Sequence, residues 1–351
     1  MDLYGNAHYS TAKRCLFELL HRSGLVHLFR WSQGDSVLVA MYHDVLPLGF
    51  PKNNPLFGMT VTVDEFDWQV TFFGKYFSPI SFQQFSDWYF HGAKLPRNPV
   101  LITFDDGHAN NLRYALPVLK RHRVNAVCFV LTGDMGRCQK TWYEDAYFRL
   151  MFSSVHSWCL RDGERRPLET FEQRVAACSR FFNLCRTLPE LEQRAELASL
   201  RGQLPLSSME EEFQERFTFL SADEVRTLAA TGTEIGSHTV SHPILATVGL
   251  DRARRELAES KSQLEHAMER TVRPFAYPFG ASGFDFQARD EALVRENGYT
   301  LAFASQGGFV TRSSNRFALP RVGIGRMTRA QFAATVTGAV DSLKRVFRVN
   351  Q

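Results

Sequence analysis

The sequence is poor in cysteine and has no long apolar run. Six cysteines occur among 351 residues, without a CxxC pair or a spacing typical of a metal finger. We therefore expect buried thiols in a reduced protein and no cysteine-ligated metal. No segment reaches the roughly 18 apolar residues that span a bilayer, and the N-terminus lacks the apolar core and cleavage site of a secretory signal. These features predict a cytoplasmic protein.

An excess of charge of one sign is also missing. The 41 lysines and arginines nearly balance the 37 aspartates and glutamates, and the net charge of +4 does not by itself predict a nucleic-acid partner. Apolar residues are plentiful at 44%, with 30 phenylalanines among them. A chain of this length can bury a large core, as one α/β domain or as a domain with an insertion.

The most informative stretch is residues 100–107, Val-Leu-Ile-Thr-Phe-Asp-Asp-Gly. The run from Val100 to Phe104 predicts a strand buried on both faces of a mostly parallel sheet. It stops at Asp105 and Asp106, at the strand end where α/β proteins place their chemistry. The alternative is an Asp-Asp-Gly turn that caps the next helix. This stretch alone leaves both interpretations open.

Strand and helix patterns alternate around this stretch. A strand at 36–42 ends at His43 and Asp44, and a helix at 110–122 leads to a strand at 124–131, which makes a βαβ unit and predicts a parallel α/β sheet. The sequence predicts a loop at 44–62, further strands at 233–237, 272–277, 300–305 and 317–324, and further helices at 63–76, 82–90, 221–230, 251–270, 287–297 and 328–347.

Two segments stand apart from this alternation. Residues 137–217 carry three helical patterns rich in Arg and Glu, with no strand-like run, and predict a helical insertion that is either a lid or a solvated appendage. Residues 11–31 predict a basic amphipathic helix, with Leu16, Leu19 and Leu20 on one side. Such a helix lies on an anionic membrane surface or packs on its own domain.

A pair of histidines follows the strand at 233–237. His238 and His242 are four residues apart, so on a helical turn both rings would face the same way. Together with a carboxylate from the end of the 100–104 strand they form a candidate site of two histidines and one aspartate. Three protein ligands with an open position are typical of a catalytic divalent metal, and the second carboxylate could then act as a base.

Three motifs resemble those of the polysaccharide deacetylases of the NodB-homology type, carbohydrate esterase family 4. Thr103–Gly107 resembles the first motif, His238–His242 the second, and Phe275–Gly280 the third, which forms one wall of the groove. The resemblance covers roughly residues 36–136 and 218–325. It implies a distorted (β/α) barrel of about seven strands, a zinc-like ion, and hydrolysis of an N-acetyl group on an amino sugar.

With this resemblance the chain divides into three parts. Residues 1–35 form an N-terminal amphipathic segment, residues 36–136 and 218–351 form the deacetylase-like barrel, and residues 137–217 form the helical insertion, a candidate lid.

Carried over by position, the resemblance implies that Asp105 is the general base. Asp106, His238 and His242 would hold the metal, which would polarise the amide oxygen and activate water, and Asp105 would accept the water proton. A backbone N–H near Phe279 would help to hold the developing oxyanion.

Two departures from the family pattern concern the third motif and the general acid. Many members carry an arginine in the third motif that orients the catalytic aspartate, whereas this chain has Ala276, with Arg273 three residues earlier. The usual late Leu-His acid motif is also missing near 319–322. Tyr42-His43 resembles a segment of the subgroup that deacetylates poly-N-acetylglucosamine, in which the acid lies early, and this likeness nominates His43 as the acid.

The remaining candidates lie beside these motifs. Arg321 is expected to contact the substrate, to pair with Asp105, or to form a surface ion pair. His108 is expected at an exposed helix start, with the alternative that it faces the site. The residues expected to contact the substrate from the third motif are Tyr277, Pro278 and Phe279.

These expectations favour a metal-dependent hydrolase that removes an acetyl or formyl group from an amino sugar, with a nucleotide-linked or lipid-linked precursor as a candidate substrate. One alternative is a sugar-binding protein that has lost turnover, which Ala276 suggests. Another is an amidohydrolase or deformylase for a small non-sugar amide. The expected cofactor is zinc, with iron, cobalt and nickel as alternatives, and the expected location is the cytoplasm, with peripheral contact at the inner membrane face as an alternative.

Overall fold

The computed structural model describes residues 11–47, 59–206 and 215–348. Its strands are β1 (Leu38–Tyr42), β2 (Asp44–Leu46), β3 (Thr60–Thr62), β4 (Ser78–Pro79), β5 (Pro99–Phe104), β6 (Ala126–Val130), β7 (Ser157–Cys159), β8 (Arg165–Pro167), β9 (Glu234–Ser237), β10 (Pro274–Ala276), β11 (Leu301–Phe303) and β12 (Val322–Gly323). Its α-helices are α1 (Thr11–Arg22), α2 (Val26–Trp31), α3 (Val63–Tyr76), α4 (Phe82–His91), α5 (Leu116–His122), α6 (Trp142–Phe152), α7 (Phe171–Cys185), α8 (Glu190–Gln203), α9 (Ala222–Ala230), α10 (Leu250–Met268), α11 (Ala288–Glu296), α12 (Arg329–Val336) and α13 (Ala339–Arg348).

A curved parallel sheet forms the centre of the molecule. Its main path runs β11-β10-β9-β6-β5-β1-β12, and β4 adds to β5. A bridge between Phe303 and Leu319 brings the segment before β12 beside β11, while β12 itself pairs with β1. The sheet thus returns toward its own first edge. The predicted distorted (β/α) barrel of about seven strands is confirmed.

The central strands are buried on both faces, as their apolar runs predict. In β5 the side chains of Val100 and Ile102 join one apolar cluster, whereas Leu101 joins another on the opposite face. Since every strand of this sheet is parallel to its neighbours, their carboxyl ends lie along one edge. Chain segments that are far apart in the sequence therefore meet there.

Several helices begin and end where the sequence places them. The predicted helix at 63–76 is α3, and its N-terminus is fixed by a capping box between Thr62 and Glu65. The predicted capping box at Ser221 and Glu224 likewise starts α9. The sequence predicts these helix starts correctly because each is set by contacts within four residues.

Two long helical predictions are divided by glycines. The expected helix over 11–31 is α1 and α2, separated near Gly24, and the expected helix over 328–347 is α12 and α13, separated at Gly338. Both glycines have positive φ, 73° and 81°, which an L side chain rarely adopts. The periodicity of the apolar residues continues across both breaks and conceals them.

Three shorter segments also differ from expectation. The predicted loop at 44–62 contains β2 and β3, which pair in parallel, and its residues 48–58 lie outside the described ranges. The predicted strand at 317–324 is regular only in β12, and the predicted helix at 110–122 opens with a π-helical turn at Asn111–Ala115.

The 137–217 segment is not purely helical. Its helices α6, α7 and α8 accompany an antiparallel hairpin of β7 and β8, which the sequence analysis missed. Each hairpin strand has only three residues and includes charged positions, so the apolar pattern does not reveal it. A second apolar cluster, which includes Phe148, Phe181 and Phe217, also takes in Leu46 and Ile244 from the barrel.

The N-terminal helices pack on the barrel through one face and expose the other. Phe17 and Val26 are buried against Ala330 and Ala333 of α12. Across the three described ranges, no helix is long and apolar enough to cross a membrane. Contrary to the expectation of buried thiols, Cys15 and Cys138 are exposed.

Candidate metal centre

Three potential ligands converge at the carboxyl edge of the sheet. Asp106 Oδ1 lies 3.5 Å from His238 Nε2 and 3.5 Å from His242 Nε2. All three ligand atoms lie within 4.8 Å of one another, and the three residues are buried. The structure therefore brings together the two histidines and one aspartate that the motifs predict.

The turn after β5 separates the two neighbouring carboxylates. Asp106 and Gly107 both have positive φ, 71° and 76°, and a Cβ at position 107 would meet Val130 Cα at 3.0 Å. This turn directs Asp106 to the histidines and Asp105 to Arg321. The helix-capping alternative is wrong, because both carboxylates bind partners across the sheet edge.

His238 is oriented by a main-chain carbonyl. Its Nδ1 lies 2.8 Å from Ala276 O, and since a carbonyl only accepts, Nδ1 carries the proton and Nε2 keeps its lone pair for a metal. Ala276, where the family arginine is absent, thus contributes through its backbone. Burial alone would lower the pKa of His238. The contact with the Asp106 carboxylate and the negative charges of Asp105 and Asp106 outweigh burial and raise this pKa.

His242 reaches the site through a loop and not through a helical turn. Thr239 and His242 both have positive φ, and the intervening amides of Val240 and Ser241 donate to buried Glu256 of α10 at 2.8 and 2.9 Å. Burial is the main cause that lowers the pKa of His242 to about 3. A neutral imidazole is the form that binds a metal.

The donor set fits a divalent cation. Asp106 Oδ1 is buried without a hydrogen-bond partner among the described residues, although buried oxygens are normally paired. Burial opposes the charged form of Asp106, but His238 and the neighbouring histidines hold its pKa well below the usual range. One carboxylate and two imidazoles are ligands that zinc, iron, cobalt and nickel accept.

Asp105 is held by a buried arginine from the segment before β12. Arg321 Nη1 and Nη2 donate to its two oxygens at 2.6 and 2.8 Å, and Arg321 Nε donates to Ala304 O at 2.9 Å. Burial disfavours the charge on Asp105, but Arg321 and His238 outweigh it and lower the pKa. The surface ion pair considered for Arg321 is wrong, since the side chain is 0% exposed.

This arrangement corrects two of the expected substrate contacts. Arg321 is fully enclosed, so it has no surface left for a substrate. Tyr277 is 1% exposed, its hydroxyl donates to Phe317 O at 2.9 Å, and its ring stacks on Phe286. Both side chains stabilise the site from behind.

The third motif does provide a wall beside the metal ligands. Pro278 is buried, and Phe279 is half-buried with a positive φ of 58°. The Phe279 ring lies 4.9 Å from the His242 ring, and its carbonyl accepts a hydrogen bond from the Ser305 hydroxyl. Of the expected third-motif contacts, Phe279 is the one with exposed surface beside the metal ligands.

His43 lies at the end of β1 on the same edge. It is half-buried, and its Nδ1 is buried without a hydrogen-bond partner in the described part of the chain. It is close enough to contribute to the lowered pKa values of Asp105 and Asp106. His43 therefore lies near both carboxylates at the carboxyl edge of the sheet.

The first turn of α6 contributes to this site, which no motif in the sequence predicts. The Tyr143 hydroxyl donates to Asp106 Oδ2 at 3.1 Å, and its ring lies 4.6 Å from the His242 ring. Trp142 Nε1 donates to His242 O at 3.0 Å. A capping box at Thr141 and Glu144 marks the start of α6, but no local pattern indicates that this helix reaches the barrel.

A buried charged cluster lies behind these residues. Asp44 binds His108 Nδ1 at 2.9 Å and Arg216 Nη2 at 3.0 Å, and Arg216 Nη1 binds Glu144 Oε1. The expectation that His108 is exposed is wrong, because its side chain is fully buried between Asp44 and Phe219. We call Asp44, His108, Glu144 and Arg216 the buried ion cluster.

Comparison with known proteins gives one family and several similar structures. Residues 92–302 match the family described as polysaccharide deacetylase. The Streptococcus pyogenes deacetylase PplD, solved with acetate, is 16% identical with a TM-score of 0.56, over 86% of this chain and 98% of that chain. IcaB from Ammonifex degensii is 20% identical with a TM-score of 0.56, over 87% and 98%. At these identities the structures show a shared fold. No curated protein matches the chain.

Proposed function

Because the chain belongs to the polysaccharide deacetylase family, we propose that it hydrolyses the N-acetyl group of an amino sugar in a glycan. The observation that carries the proposal is the convergence of Asp106, His238 and His242 beside a second, separately held carboxylate, Asp105. A pure binding site needs no second carboxylate at that position.

Asp106, His238 and His242 would hold a divalent cation, with zinc as the first candidate. A cation bound there would supply Lewis-acid polarisation of the amide carbonyl and would acidify water. The protonated Nδ1 of His238, fixed by Ala276 O, keeps Nε2 directed toward Asp106.

Asp105 is the proposed general base. Its carboxylate is charged and held in one orientation by Arg321, so it can accept the proton of a water molecule that attacks the amide carbon. The N–H of Phe279 makes no hydrogen bond within the described ranges and is the proposed donor to the developing oxyanion.

His43 is the proposed general acid. An amine is a poor leaving group unless it is protonated, so the nitrogen of the sugar must receive a proton as the C–N bond breaks. His43 lies at the same edge as Asp105, at the end of the neighbouring strand β1.

Arg321 weakens the main argument for a binding protein without turnover. That alternative came from Ala276, where the family arginine that orients the aspartate is missing. Here Arg321 makes a bidentate contact with Asp105 from another part of the chain. We propose that it takes over the orienting role, which leaves a small non-sugar amide or a formyl group as the alternative substrates.

Acetate release tests the proposal. The chain, loaded in turn with zinc, cobalt, nickel or iron(II), should release acetate and free amine from N-acetylglucosamine oligomers, and a chelator should abolish this activity until metal is restored. Formylated sugars, nucleotide-linked precursors and a small aryl acetamide serve as competing substrates. Full metal occupancy with no hydrolysis of any of them would refute the enzymatic assignment.

We further propose that the exposed face of α2 rests on an anionic lipid surface. The cytoplasmic location of the protein stays a prediction. Leu25, Leu28 and Trp31 follow at three-residue spacing and are exposed, with Trp31 at 70%. Trp31 borders a cleft at the amino ends of β1 and β5, lined also by Lys94, Arg97, Arg312 and the single carboxylate of Asp35. Apolar side chains beside basic groups suit an anionic membrane.

This orientation would direct the metal site away from the lipid. The cleft borders the first residue of β5, and Asp105 follows the last, roughly 20 Å away for six residues of strand. Vesicles with phosphatidylglycerol should bind the chain more strongly than neutral vesicles, and Leu28→Ser should reduce that binding. Leu191→Ser, at a residue 81% exposed on α8, is the matched control. Equal binding by wild type and Leu28→Ser would refute the lipid contact.

A further inference from the structure

We propose that Tyr143 positions the metal ligand Asp106, and that the buried ion cluster holds Tyr143 in place. The 137–217 segment would then be a working part of the metal site and not a detachable lid. This inference rests on the proposed function, because it assigns a role in the same site.

Tyr143 distinguishes the two oxygens of Asp106. Its hydroxyl donates to Oδ2 at 3.1 Å, while Oδ1 faces both histidines at 3.5 Å without a hydrogen-bond partner in the part that the structure describes. A carboxylate fixed in this way offers a cation one oxygen in a defined direction. Partners behind metal ligands commonly set ligand orientation and affinity in this manner.

The Tyr143 ring is also confined. It lies 4.6 Å from the His242 ring and 5.5 Å from the Phe279 ring, centroid to centroid. Tyr143 therefore touches one ligand through its hydroxyl and a second through its ring. Its position in the first turn of α6 means that any shift of this helix would move both contacts.

Three members of the buried ion cluster lie next to, or two residues from, residues of the site in the sequence. Glu144 follows Tyr143, Asp44 follows His43, and His108 is two residues after Asp106. Arg216 connects Glu144 to Asp44, and Asp44 in turn binds His108. Glu144 Oε2 also accepts from Thr141 N at 2.9 Å, which fixes the start of α6.

The cluster can set one geometry because every member is buried. Two carboxylates face one guanidinium and one imidazole. Asn110 Nδ2 also donates a hydrogen bond to Asp44 Oδ1 at 2.8 Å. A shift of α6 would separate Glu144 from Arg216 and leave the Glu144 carboxylate buried without its cation, while Arg216 would keep only Asp44. The start of α6 is thereby tied to the barrel at the metal edge.

Tyr143→Phe tests the first step, because it removes only the hydroxyl. We expect the zinc dissociation constant, measured by competition with a chromophoric chelator, to rise about tenfold, and kcat to fall with little change in KM. Tyr147→Phe, one turn further along the same helix, is the matched control and should bind zinc like the wild type. A Tyr143→Phe zinc affinity within twofold of the wild type would overturn the assignment.

Glu144→Gln tests the second step, since glutamine keeps the shape and loses the charge. We expect weaker zinc binding in the same direction, and the Tyr143→Phe/Glu144→Gln double variant should bind zinc no more weakly than Tyr143→Phe alone. Non-additivity of this kind shows that Glu144 acts through Tyr143. Additive losses would overturn the positioning role of the cluster, and circular dichroism confirms that each variant is folded.

The two proposals fail in different ways. If the wild type binds no metal or releases no acetate, the proposed function is wrong. If the wild type does both, and Tyr143→Phe and Glu144→Gln match it, only the present inference is wrong.

Discussion

Arg321→Met should reduce kcat about 100-fold while leaving metal affinity close to that of the wild type. The guanidinium holds both oxygens of Asp105 and also donates to Thr103 Oγ1 and Ala304 O. Methionine fills a similar volume but cannot hold the carboxylate. Metal binding should be spared because Arg321 contacts Asp105 and not Asp106.

The magnitude follows from burial. Breaking a buried ion pair by removing one partner costs about 3–5 kcal/mol of folding free energy. A well-placed general base contributes about 10²–10⁴-fold to the rate. If the base is still present but no longer held in place, we expect a rate loss at the lower end of that range, about 100-fold. At about 1.36 kcal/mol per factor of ten, this loss corresponds to about 2.7 kcal/mol of activation free energy.

The assay is acetate release by the metal-loaded enzyme, with zinc affinity and thermal unfolding measured on the same samples. Arg273→Met is the matched control, because Arg273 lies near the third motif but forms a partly exposed pair with Glu234. It should leave kcat unchanged. If Arg321→Met is unstable, Arg321→Lys keeps the charge without the bidentate geometry and should give an intermediate rate. A kcat within threefold of the wild type for a folded Arg321 variant would refute the orienting role.

Three further predictions concern neighbouring groups. Asp105→Asn should keep zinc affinity and lose turnover, whereas His238→Ala should lose both. Competition with a chelator measures the zinc affinity, and acetate release measures the turnover. Near-normal turnover by Asp105→Asn would exclude Asp105 as the base. His43→Ala should slow amide hydrolysis more than hydrolysis of an activated acetyl ester, whose leaving group needs little protonation, and equal slowing would count against an acid role. Burial opposes ionisation of Asp44, but Arg216 and His108 hold its pKa well below the ordinary value. Its charge therefore stabilises the fold above about pH 4 and ceases to do so as pH falls. The difference in unfolding free energy between wild type and Asp44→Asn should shrink from about pH 5 to pH 2, and a constant difference would contradict this.

Local sequence patterns anticipated much of the fold. The apolar run of β5, the capping box of α3 and the βαβ spacing each depend on contacts between near neighbours, or on burial of a whole strand. The breaks at Gly24 and Gly338 were missed because apolar periodicity continues across them. The β7–β8 hairpin was missed because its strands are short and partly charged.

The metal ligands could be anticipated from motifs. Of their supporting residues, the pairing of Arg321 with Asp105 was one of several alternatives and is confirmed, whereas Tyr143 was not anticipated. Asp105, Asp106, His238 and His242 stand in two short segments with a recognisable pattern. Arg321 lies 216 residues after Asp105, and Tyr143 lies 37 residues after Asp106. Neither residue belongs to one of the two segments that supply the ligands and the base. No spacing rule connects residues that meet only when the sheet curves and α6 packs against it.

The sequence by itself therefore determined most strands of the central sheet, most helices and the chemical type of the site, because these follow from local periodicity and from recognisable motifs of chemically active side chains. Tertiary structure alone decided which arginine holds the base, which hydroxyl supports the metal ligand, and that His108 is buried among charges. The physical reason is that a buried charge must find its partner in space, and a parallel barrel brings that partner from any of its strand ends or insertions.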